Sequence, residues 1–224
     1  MLISVENLPS KGFGATGINI VNMTPPTYEE ILNYVSGADY KPNSIGQLRW
    51  DMENLIHGKV TGYESLSAYD LNFIISMRKL LALLDKNKVT ISGKTYSTSE
   101  ISFTTISDEI MKVYKVNGNK FHMPNIAEVE NKLYGIDTRY YDLPMELLLV
   151  AIGMGISLEE LLSFGTDMLA TIEHLKSLIV TQPRIEGGEE DIVLFGKSSD
   201  LFQDILHSQD TDSFKIEFAE EQES

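Results

Sequence analysis

Residues 67–85 read Ser-Ala-Tyr-Asp-Leu-Asn-Phe-Ile-Ile-Ser-Met-Arg-Lys-Leu-Leu-Ala-Leu-Leu-Asp. Apolar side chains recur in this stretch at steps of three and four, which predicts a helix with a continuous apolar face. Only a strip through Asn72, Ser76 and Lys79 interrupts that apolar surface. A helix apolar over so much of its circumference is buried by neighbours on several sides. We therefore expect 67–85 to be the central core helix, with Ser67 as its N-cap.

Further helices are predicted where capping residues precede apolar residues at helical spacing. Ser44 and Gln47 have the spacing of a capping box. Asp142 precedes a very apolar run that Gly153 and Gly155 are expected to break. Together with the central helix, these signals predict a mostly helical core with helices near 26–36, 44–57, 67–85, 142–152 and 157–180.

The apolar pattern changes to period two after Asp85, which is typical of strands. The dipeptide Asn117-Gly118 is a strong signal for a hairpin turn. We expect a small antiparallel β region near 88–124 and two short N-terminal strands, Leu2–Val5 and Gly17–Met23. The predicted fold class is α+β.

Charge divides the chain of 224 residues unevenly: its net charge is −15, and residues 186–224 contain 12 acids and two lysines. We expect a main α+β domain over 1–181 and an acidic, weakly structured segment over 182–224. The chain lacks the basic footprint that phosphates require, so we expect no nucleic acid as a partner. Its most apolar run, Leu147–Ile156, is too short to cross a bilayer, so no membrane partner is expected and a soluble, intracellular protein is the default.

The motifs that would indicate catalysis are incomplete. Gly12, Gly14 and Gly17 form a literal G-x-G-x-x-G, but the residues after them favour a strand, whereas a dinucleotide site needs a helix there. Cysteine is absent, which removes thiolate nucleophiles and thiolate metal sites. The four histidines, at 57, 122, 174 and 207, have no second ligand at the spacing of a two-ligand metal helix. We expect no catalytic residues, no metal and no cofactor, which favours a structural or binding protein over an enzyme.

Aromatic and arginine side chains are the candidates for partner binding, because tyrosine, tryptophan and arginine are enriched at protein interfaces. Trp50 lies off the apolar stripe of its predicted helix, so it faces either another element or a partner. A second group surrounds a predicted helix start, where ordinary packing is an equal alternative. The full candidate set is Trp50, Tyr134, Arg139, Tyr140 and Tyr141.

Three short motifs near the N-terminus resemble the start of the baseplate hub family of T-even-type bacteriophages. They are the turn Asn7-Leu-Pro-Ser-Lys-Gly12, the strand Ile18-Asn-Ile-Val-Asn-Met-Thr24 and the helix start Tyr28-Glu-Glu-Ile-Leu32. The likeness covers roughly residues 5–180, and the acidic segment after 181 lies outside it. The family's usual aromatic and proline after the glycine are replaced here by Phe13-Gly-Ala-Thr-Gly17.

This resemblance implies a non-enzymatic structural protein or assembly chaperone of a contractile-tail baseplate. Its partners would be other phage tail and baseplate proteins in the cytoplasm of the infected host. Whether the protein enters the virion, and whether it forms an oligomer, stays open. Strand edges near 18–23 and 89–96 are expected to pair with such a partner. The alternative is a regulatory or adaptor protein whose acidic C-terminal segment binds a basic partner.

Overall fold

The computed structural model of the chain describes residues 1–81, 88–91, 94–110, 115–116 and 119–185. Within these ranges seven α-helices pack with short antiparallel strands, which confirms the α+β fold class. The helices are α1 (Tyr28–Ser36), α2 (Ile45–Asp51), α3 (Leu71–Leu81), α4 (Ile126–Leu133), α5 (Met145–Met154), α6 (Leu158–Leu162) and α7 (Thr166–Leu178). A π-helical turn, Met52–Ile56, continues α2 without a break.

The strands form one three-stranded sheet and three two-stranded sheets in the described ranges. They are β1 (Leu2–Ser4), β2 (Ile20–Met23), β3 (Val60–Thr61), β4 (Lys88–Ile91), β5 (Lys94–Ser97), β6 (Ile101–Phe103), β7 (Lys115–Val116), β8 (Asn119–Lys120) and β9 (Pro183–Ile185). In the larger sheet β2 lies between β1 and β3, and β3 pairs with Asn22 and Met23 only. The predicted strand edge near 18–23 is therefore paired in part, and its use by a partner stays a prediction. The β4–β5 hairpin lies within the predicted 88–124 region.

The small antiparallel β region near 88–124 is confirmed, and one of its strands pairs beyond the predicted bounds. Its strand β6 pairs with β9, whose residues we expected in the weakly structured C-terminal segment. The pairing continues at Thr104, whose N–H donates to the Gln182 carbonyl at 3.1 Å. Thr181 is fully buried, and its hydroxyl donates to the Thr104 carbonyl at 2.6 Å. The folded body thus includes residues 183–185, and the expectations for 186–224 lie outside the described residues.

The predicted helix bounds near 142–152 and 157–180 also need correction. Gly153 does not break its helix but lies inside α5. The position requires glycine because a Cβ there would lie 2.4 Å from the Phe121 ring and 2.6 Å from the His122 carbonyl oxygen. The break comes at Gly155, whose φ of +69° suits glycine. The stretch 157–180 is two helices, because α6 ends before Ser163 and α7 begins at Thr166.

The central helix is confirmed as a core element, but its polar strip is buried rather than left to solvent. It begins with a 3-10 turn, Ala68–Asp70, and continues as α3; residues 82–85 of the prediction lie outside the described residues. The exposed fractions of Asn72, Ser76 and Lys79 are 1%, 0% and 1%. The Asn72 amide donates to the Thr181 carbonyl at 3.0 Å and Lys79 contacts Asp51, whereas the Ser76 hydroxyl has no hydrogen-bond partner among the described residues. Polar as well as apolar contacts of α3 therefore hold the fold together.

Lys79 forms a buried ion pair with Asp51 of α2, with 3.2 Å between the ammonium nitrogen and each carboxylate oxygen. The Tyr34 hydroxyl donates to the same carboxylate at 2.5 Å, and the Gln47 amide donates to it at 3.0 Å. Burial lowers the pKa of Lys79, while the neighbouring Asp51 charge opposes that effect. Burial and the Asp51 charge both raise the pKa of Tyr34. Three elements, α1, α2 and α3, are thus joined by one carboxylate.

Arg78 is the second buried cation of α3, with no exposed surface. Its Nε donates to the Leu55 carbonyl of the π-helical turn at 2.9 Å. Its guanidinium also reaches Thr24 at 3.3 Å and Glu30 at 3.4 Å. Glu30 closes the capping box of α1, because its carboxylate accepts from the Thr27 N–H at 2.8 Å. Arg78 therefore connects the π-helical turn to the start of α1.

The glycine-rich loop after β1 is anchored to the central helix through Asp70. One carboxylate oxygen accepts from the Ser10 N–H at 2.8 Å, and the other accepts from the Ser10 hydroxyl at 2.6 Å. Both residues are buried, and burial raises the pKa of Asp70 to about 6 although Ser10 opposes that effect. The loop leads into strand β2, as the sequence predicted.

No helix in the part of the chain that the structure describes has the length and apolar character needed to cross a membrane.

We expect Lys79→Met to lower the free energy of unfolding by about 3–5 kcal/mol, because it leaves the Asp51 carboxylate buried without its cation. Urea denaturation followed by tryptophan fluorescence measures this loss. The matched control is Lys176→Met, which breaks an exposed pair with Glu173 and should change stability by less than about 1 kcal/mol. Combining Lys79→Met with Asp51→Leu should cost clearly less than the sum of the two single changes. Strict additivity would contradict a coupled buried pair.

Stability should fall as pH rises from about 4 to about 6, through the window between the ordinary pKa of Asp70 and its raised value. The folded protein holds the Asp70 proton more tightly than the unfolded chain does, so deprotonation favours unfolding. The full effect is on the order of 3 kcal/mol, which follows from about two pKa units. We expect the free energy of unfolding to depend less steeply on pH in Asp70→Asn than in the parent protein. Asp39→Asn, a control at an exposed position, should keep the parent's pH dependence. An unchanged slope in Asp70→Asn would assign the effect to another carboxylate.

Candidate protein-binding surface

Trp50 faces another element of the fold, which was one of its two predicted roles. Its indole N–H donates to the Tyr34 carbonyl at 3.2 Å. The ring lies over Gly37, where an added Cβ would come within 1.8 Å of the indole carbon Cζ2. The Tyr34 and Tyr40 rings lie 6.3 Å and 6.4 Å from it, centroid to centroid. Trp50 is partly buried, so only part of the ring is available to a partner.

Tyr141 continues this aromatic row toward the surface. Its ring meets the Tyr40 ring edge to face at 5.8 Å. Its hydroxyl accepts a hydrogen bond from the Arg49 guanidinium, which also lies 5.7 Å from the Tyr141 ring centroid. Arg49 in turn pairs with Glu53 at 2.9 Å, one helical turn further on. These contacts on both sides fix the orientation of Tyr141.

Arg139 and Tyr140 lie on a 3-10 turn, Thr138–Tyr140, immediately before Tyr141. The Asp137 carboxylate caps this turn by accepting from the Arg139 N–H at 3.0 Å. The same carboxylate lies 3.1 Å from Arg139 Nε. The guanidinium stacks 4.9 Å from the Tyr140 ring centroid, yet 65% of the Arg139 side chain is exposed. The Arg139 guanidinium is thus held in place while most of the side chain stays exposed to solvent.

Tyr134, just after α4, is 52% exposed and lies beside a cluster around Glu130. The Glu130 carboxylate contacts His57 Nδ1 at 2.9 Å and accepts from the Tyr63 hydroxyl at 3.1 Å. The Tyr134 hydroxyl lies 3.5 Å from the same carboxylate. Burial raises the pKa of Tyr134, and the nearby Glu130 charge raises it further, while Arg49 lowers it. Through Glu130, Tyr134 is therefore connected to His57 and Tyr63.

Trp50 and Tyr141 both pack on Tyr40, and Arg139 and Tyr140 directly precede Tyr141, whereas Tyr134 lies beside Glu130 after α4. We call this group of residues the tyrosine–arginine surface and define it by Arg49, Tyr134, Arg139, Tyr140 and Tyr141. Trp50 supports it from below through Tyr40. Sequence reasoning missed Arg49, His57 and Glu130, because their contacts join elements up to 92 residues apart. The only available signal was the Arg49–Glu53 spacing of four on one helix.

The described histidines each meet a glutamate that the sequence spacing did not indicate. The pairs are His57–Glu130 at 2.9 Å, His122–Glu128 at 3.4 Å and His174–Glu109 at 2.9 Å, while His207 lies outside the described residues. Each histidine side chain is about half exposed or more. Within the described ranges, no group of three or more potential ligands among histidine, aspartate and glutamate is placed to hold a metal ion.

A small cavity lies beside the Lys79–Asp51 pair, lined among others by Asn43, Gln47, Asp51 and Asn72. Its volume is about 10 Å³, which is room for about one water molecule. The Oδ1 atom of Asn43 is buried there without a hydrogen-bond partner among the described residues. This cavity suits a bridging water and is too small for an organic substrate.

Comparison with known proteins assigns no family to the chain: no family model matches it, and no curated protein and no solved structure is significantly similar to it. The resemblance to phage baseplate hub proteins therefore stays a prediction from short motifs.

Replacing Gly37 by alanine should displace the indole of Trp50, because the new Cβ would overlap the ring. We expect a shift in the emission of this tryptophan, the only one in the chain, and a loss of about 1–3 kcal/mol of stability from overpacking. Fluorescence spectra and urea denaturation measure the two effects. Gly135→Ala is the control, since its Cβ would meet nothing closer than 3.8 Å. Identical spectra for both variants would contradict the packing of Trp50 on Gly37.

Proposed function

We propose that this protein works by binding other proteins, with the tyrosine–arginine surface as its docking site. The observation that carries the proposal is the arrangement of Tyr134 and Arg139, which are exposed yet held by neighbouring side chains. Tyrosine and arginine contribute a large share of interface hot spots. Side chains that are already ordered lose little conformational entropy on binding. A surface of this kind is therefore suited to a protein partner.

The partners we propose are tail and baseplate proteins of a contractile-tailed bacteriophage, met in the cytoplasm of the infected host. Support for this finer assignment comes from the sequence motifs between residues 5 and 180. The Leu-Pro-Ser turn that opens the likeness is a buried part of this fold, with Leu8 at 2% exposure and Ser10 bound to Asp70. A turn with such a structural role is one that a family sharing this fold would retain. The protein would act as a structural component or as an assembly chaperone.

We propose a role without catalysis. Three of the buried groups with shifted pKa values, Lys79, Tyr34 and Asp70, are engaged in contacts that hold elements of the fold together. Perturbed pKa values mark active sites only when the groups line a cleft that admits a substrate. The cavity next to Lys79 and Asp51 has room for about one water. These groups therefore fit a structural role better than a chemical one.

Co-expression with candidate baseplate hub proteins, followed by size-exclusion chromatography, tests the assignment. We expect this protein to co-elute with at least one of them as a stable complex. Absence of co-elution with every hub protein would count against the phage assignment. A run of tail genes on either side of the coding sequence would be independent support.

Tyr134→Ala and Arg139→Ala should each weaken binding to the identified partner by at least about tenfold, the effect expected for interface hot spots. Isothermal titration calorimetry gives the affinities. The controls are Leu169→Ala and Tyr28→Ala, which remove exposed apolar surface from α7 and α1. If the two controls reduce affinity as much as the test variants do, the docking site lies elsewhere.

The second candidate is an adaptor whose acidic C-terminal segment captures a basic partner. It is favoured by one observation, the concentration of 12 acids in residues 186–224. Deleting these residues separates the two proposals. The adaptor should lose its partner, whereas binding through the tyrosine–arginine surface should survive.

A further inference from the structure

The strand β1 lies at one edge of the three-stranded sheet, and its outer side is open. On its inner side, the Met23 N–H donates to the Met1 carbonyl at 2.8 Å, and the Met1 nitrogen donates back to the Met23 carbonyl at 2.5 Å. Because such pairs alternate along an antiparallel ladder, the N–H and C=O groups of Leu2 and Ser4 point away from β2. Among the described residues, these four backbone groups have no hydrogen-bond partner.

The edge also lacks the features that usually prevent an exposed strand from pairing with another chain. Lysine, proline or an inward-pointing charge commonly protects such edges. The sequence of β1, Leu-Ile-Ser, contains none of them. The three strands of the sheet contain no charged residue, and neither do residues 12–28, although 23% of the chain is charged. Another acidic chain therefore meets little direct repulsion at this sheet.

The two faces of the sheet differ in a way that suits an added strand. Ile3, Val21 and Met23 are at most 8% exposed, so the core fixes the shape of the sheet. On the opposite face Leu2 is 70% exposed and Ile20 is 55% exposed. The register makes these two side chains diagonal neighbours. An added strand would thus gain backbone hydrogen bonds at the edge and apolar contacts beside it.

A second copy of β1 fits this edge by symmetry. Leu2 and Ser4 lie one residue to either side of Ile3. When a two-fold axis passes beside Ile3, Leu2 of each copy lies opposite Ser4 of the other. Each outward N–H then faces an outward C=O, as in a hydrogen-bonded antiparallel pair. One register therefore satisfies every outward group of both strands and brings the two exposed leucines diagonally together.

The same register keeps the neighbouring acid away from its symmetry mate. Glu6 is the charged residue next to β1 in sequence, and it follows Val5 in a 3-10 turn. The Val5 positions of the two copies are about 14 Å apart along the strand direction, at roughly 3.4 Å per residue. That separation exceeds the Debye length of about 10 Å at 0.1 M salt, so salt screens most of the repulsion between the two turns.

We propose that two copies of this protein pair through β1 in this antiparallel register and form a continuous six-stranded sheet of order β3–β2–β1–β1–β2–β3. The contact is small, so the dimer belongs to the weak, transient class and forms at micromolar or higher concentration. The pairing uses no residue of the tyrosine–arginine surface.

Sedimentation velocity on the full chain, from about 5 μM to about 500 μM, tests for this dimer and brackets a micromolar dissociation constant. We expect a reversible monomer–dimer equilibrium. A chain that stays monomeric throughout this range overturns the proposal.

Ser4→Pro tests whether the edge of β1 makes the contact. The φ of Ser4 is −66°, which a proline ring matches, and its N–H is not used in the β1–β2 ladder. The fold should therefore survive while one outward donor per copy is lost, and dimerisation should weaken by at least about tenfold. Ser4→Ala is the matched control, because it also removes the hydroxyl contact with Glu6 but keeps the N–H. It should dimerise like the parent.

Leu2→Glu provides a second test that does not alter the backbone. It places two carboxylates diagonally across the two-fold axis, so dimerisation should again weaken by at least about tenfold. Leu169→Glu is the control, since it adds the same charge at a leucine of α7 that is 55% exposed. Circular dichroism checks that each variant is folded, and Leu2→Glu decides the question if Ser4→Pro is not. A dimer that withstands Leu2→Glu, or a folded Ser4→Pro, overturns the proposal.

Amide hydrogen exchange measured by NMR locates the contact within the chain. The Ser4 amide should exchange several-fold more slowly at high protein concentration than at low concentration. The Val5 amide, which donates to the Asn19 carbonyl at 3.0 Å, should be protected at both. Protection of Ser4 at every concentration would show that the edge is covered within one chain. A dimer without protection of Ser4 would place the contact elsewhere, and either result overturns the pairing.

Discussion

Lys79 and Asp51 place opposite charges 3.2 Å apart where neither side chain meets solvent, and the rest of the core is arranged to satisfy them. An unpaired charge at this depth would cost several kcal/mol, so the pair fixes how α2 and α3 can approach each other. Tyr34 and Gln47 complete the arrangement, because both donate hydrogen bonds to Asp51 Oδ1, which Lys79 also contacts. A purely apolar interface would allow small slips between these helices. Here a slip would separate charges, which gives the packing one preferred register.

Local signals predicted much of the helical fold. The cap at Ser44 accepts from the N–H three residues on, as its position in the sequence indicated. Long-range contacts explain the errors. The sequence alone predicts a helix break at Gly153. The actual reason for a glycine there is the Phe121 ring, which leaves no room for a Cβ and is distant in sequence. The β6–β9 pairing joins strands about 80 residues apart, and no local pattern specifies such a partner. Burial of Lys79 was likewise hidden, since periodicity assigns polar residues to the outside.

The residue types indicated the tyrosine–arginine surface, but the sequence did not specify how its side chains are arranged. Tyr134, Arg139, Tyr140 and Tyr141 were candidates because of interface preferences, which say nothing about orientation. Their arrangement depends on Arg49 and on the Glu130 carboxylate, both of which contact residues that are distant in sequence. Arg49 lies on α2, the helix that also carries Asp51, so the proposed docking site shares this helix with the core pair. Binding and stability are therefore expected to share residues only at the base of the surface, around Trp50 and Tyr34.

Glu30 shows how one side chain can serve two structural purposes. Its carboxylate closes the capping box of α1 and also contacts the buried Arg78 and the amine of Lys59. A substitution there would remove a helix cap and unbalance a buried cation in the same step. The effects of substitutions at position 30 are therefore expected to be non-additive with those at positions 59 and 78. Among homologues that retain the buried arginine, an acid at this position should be inherited together with it.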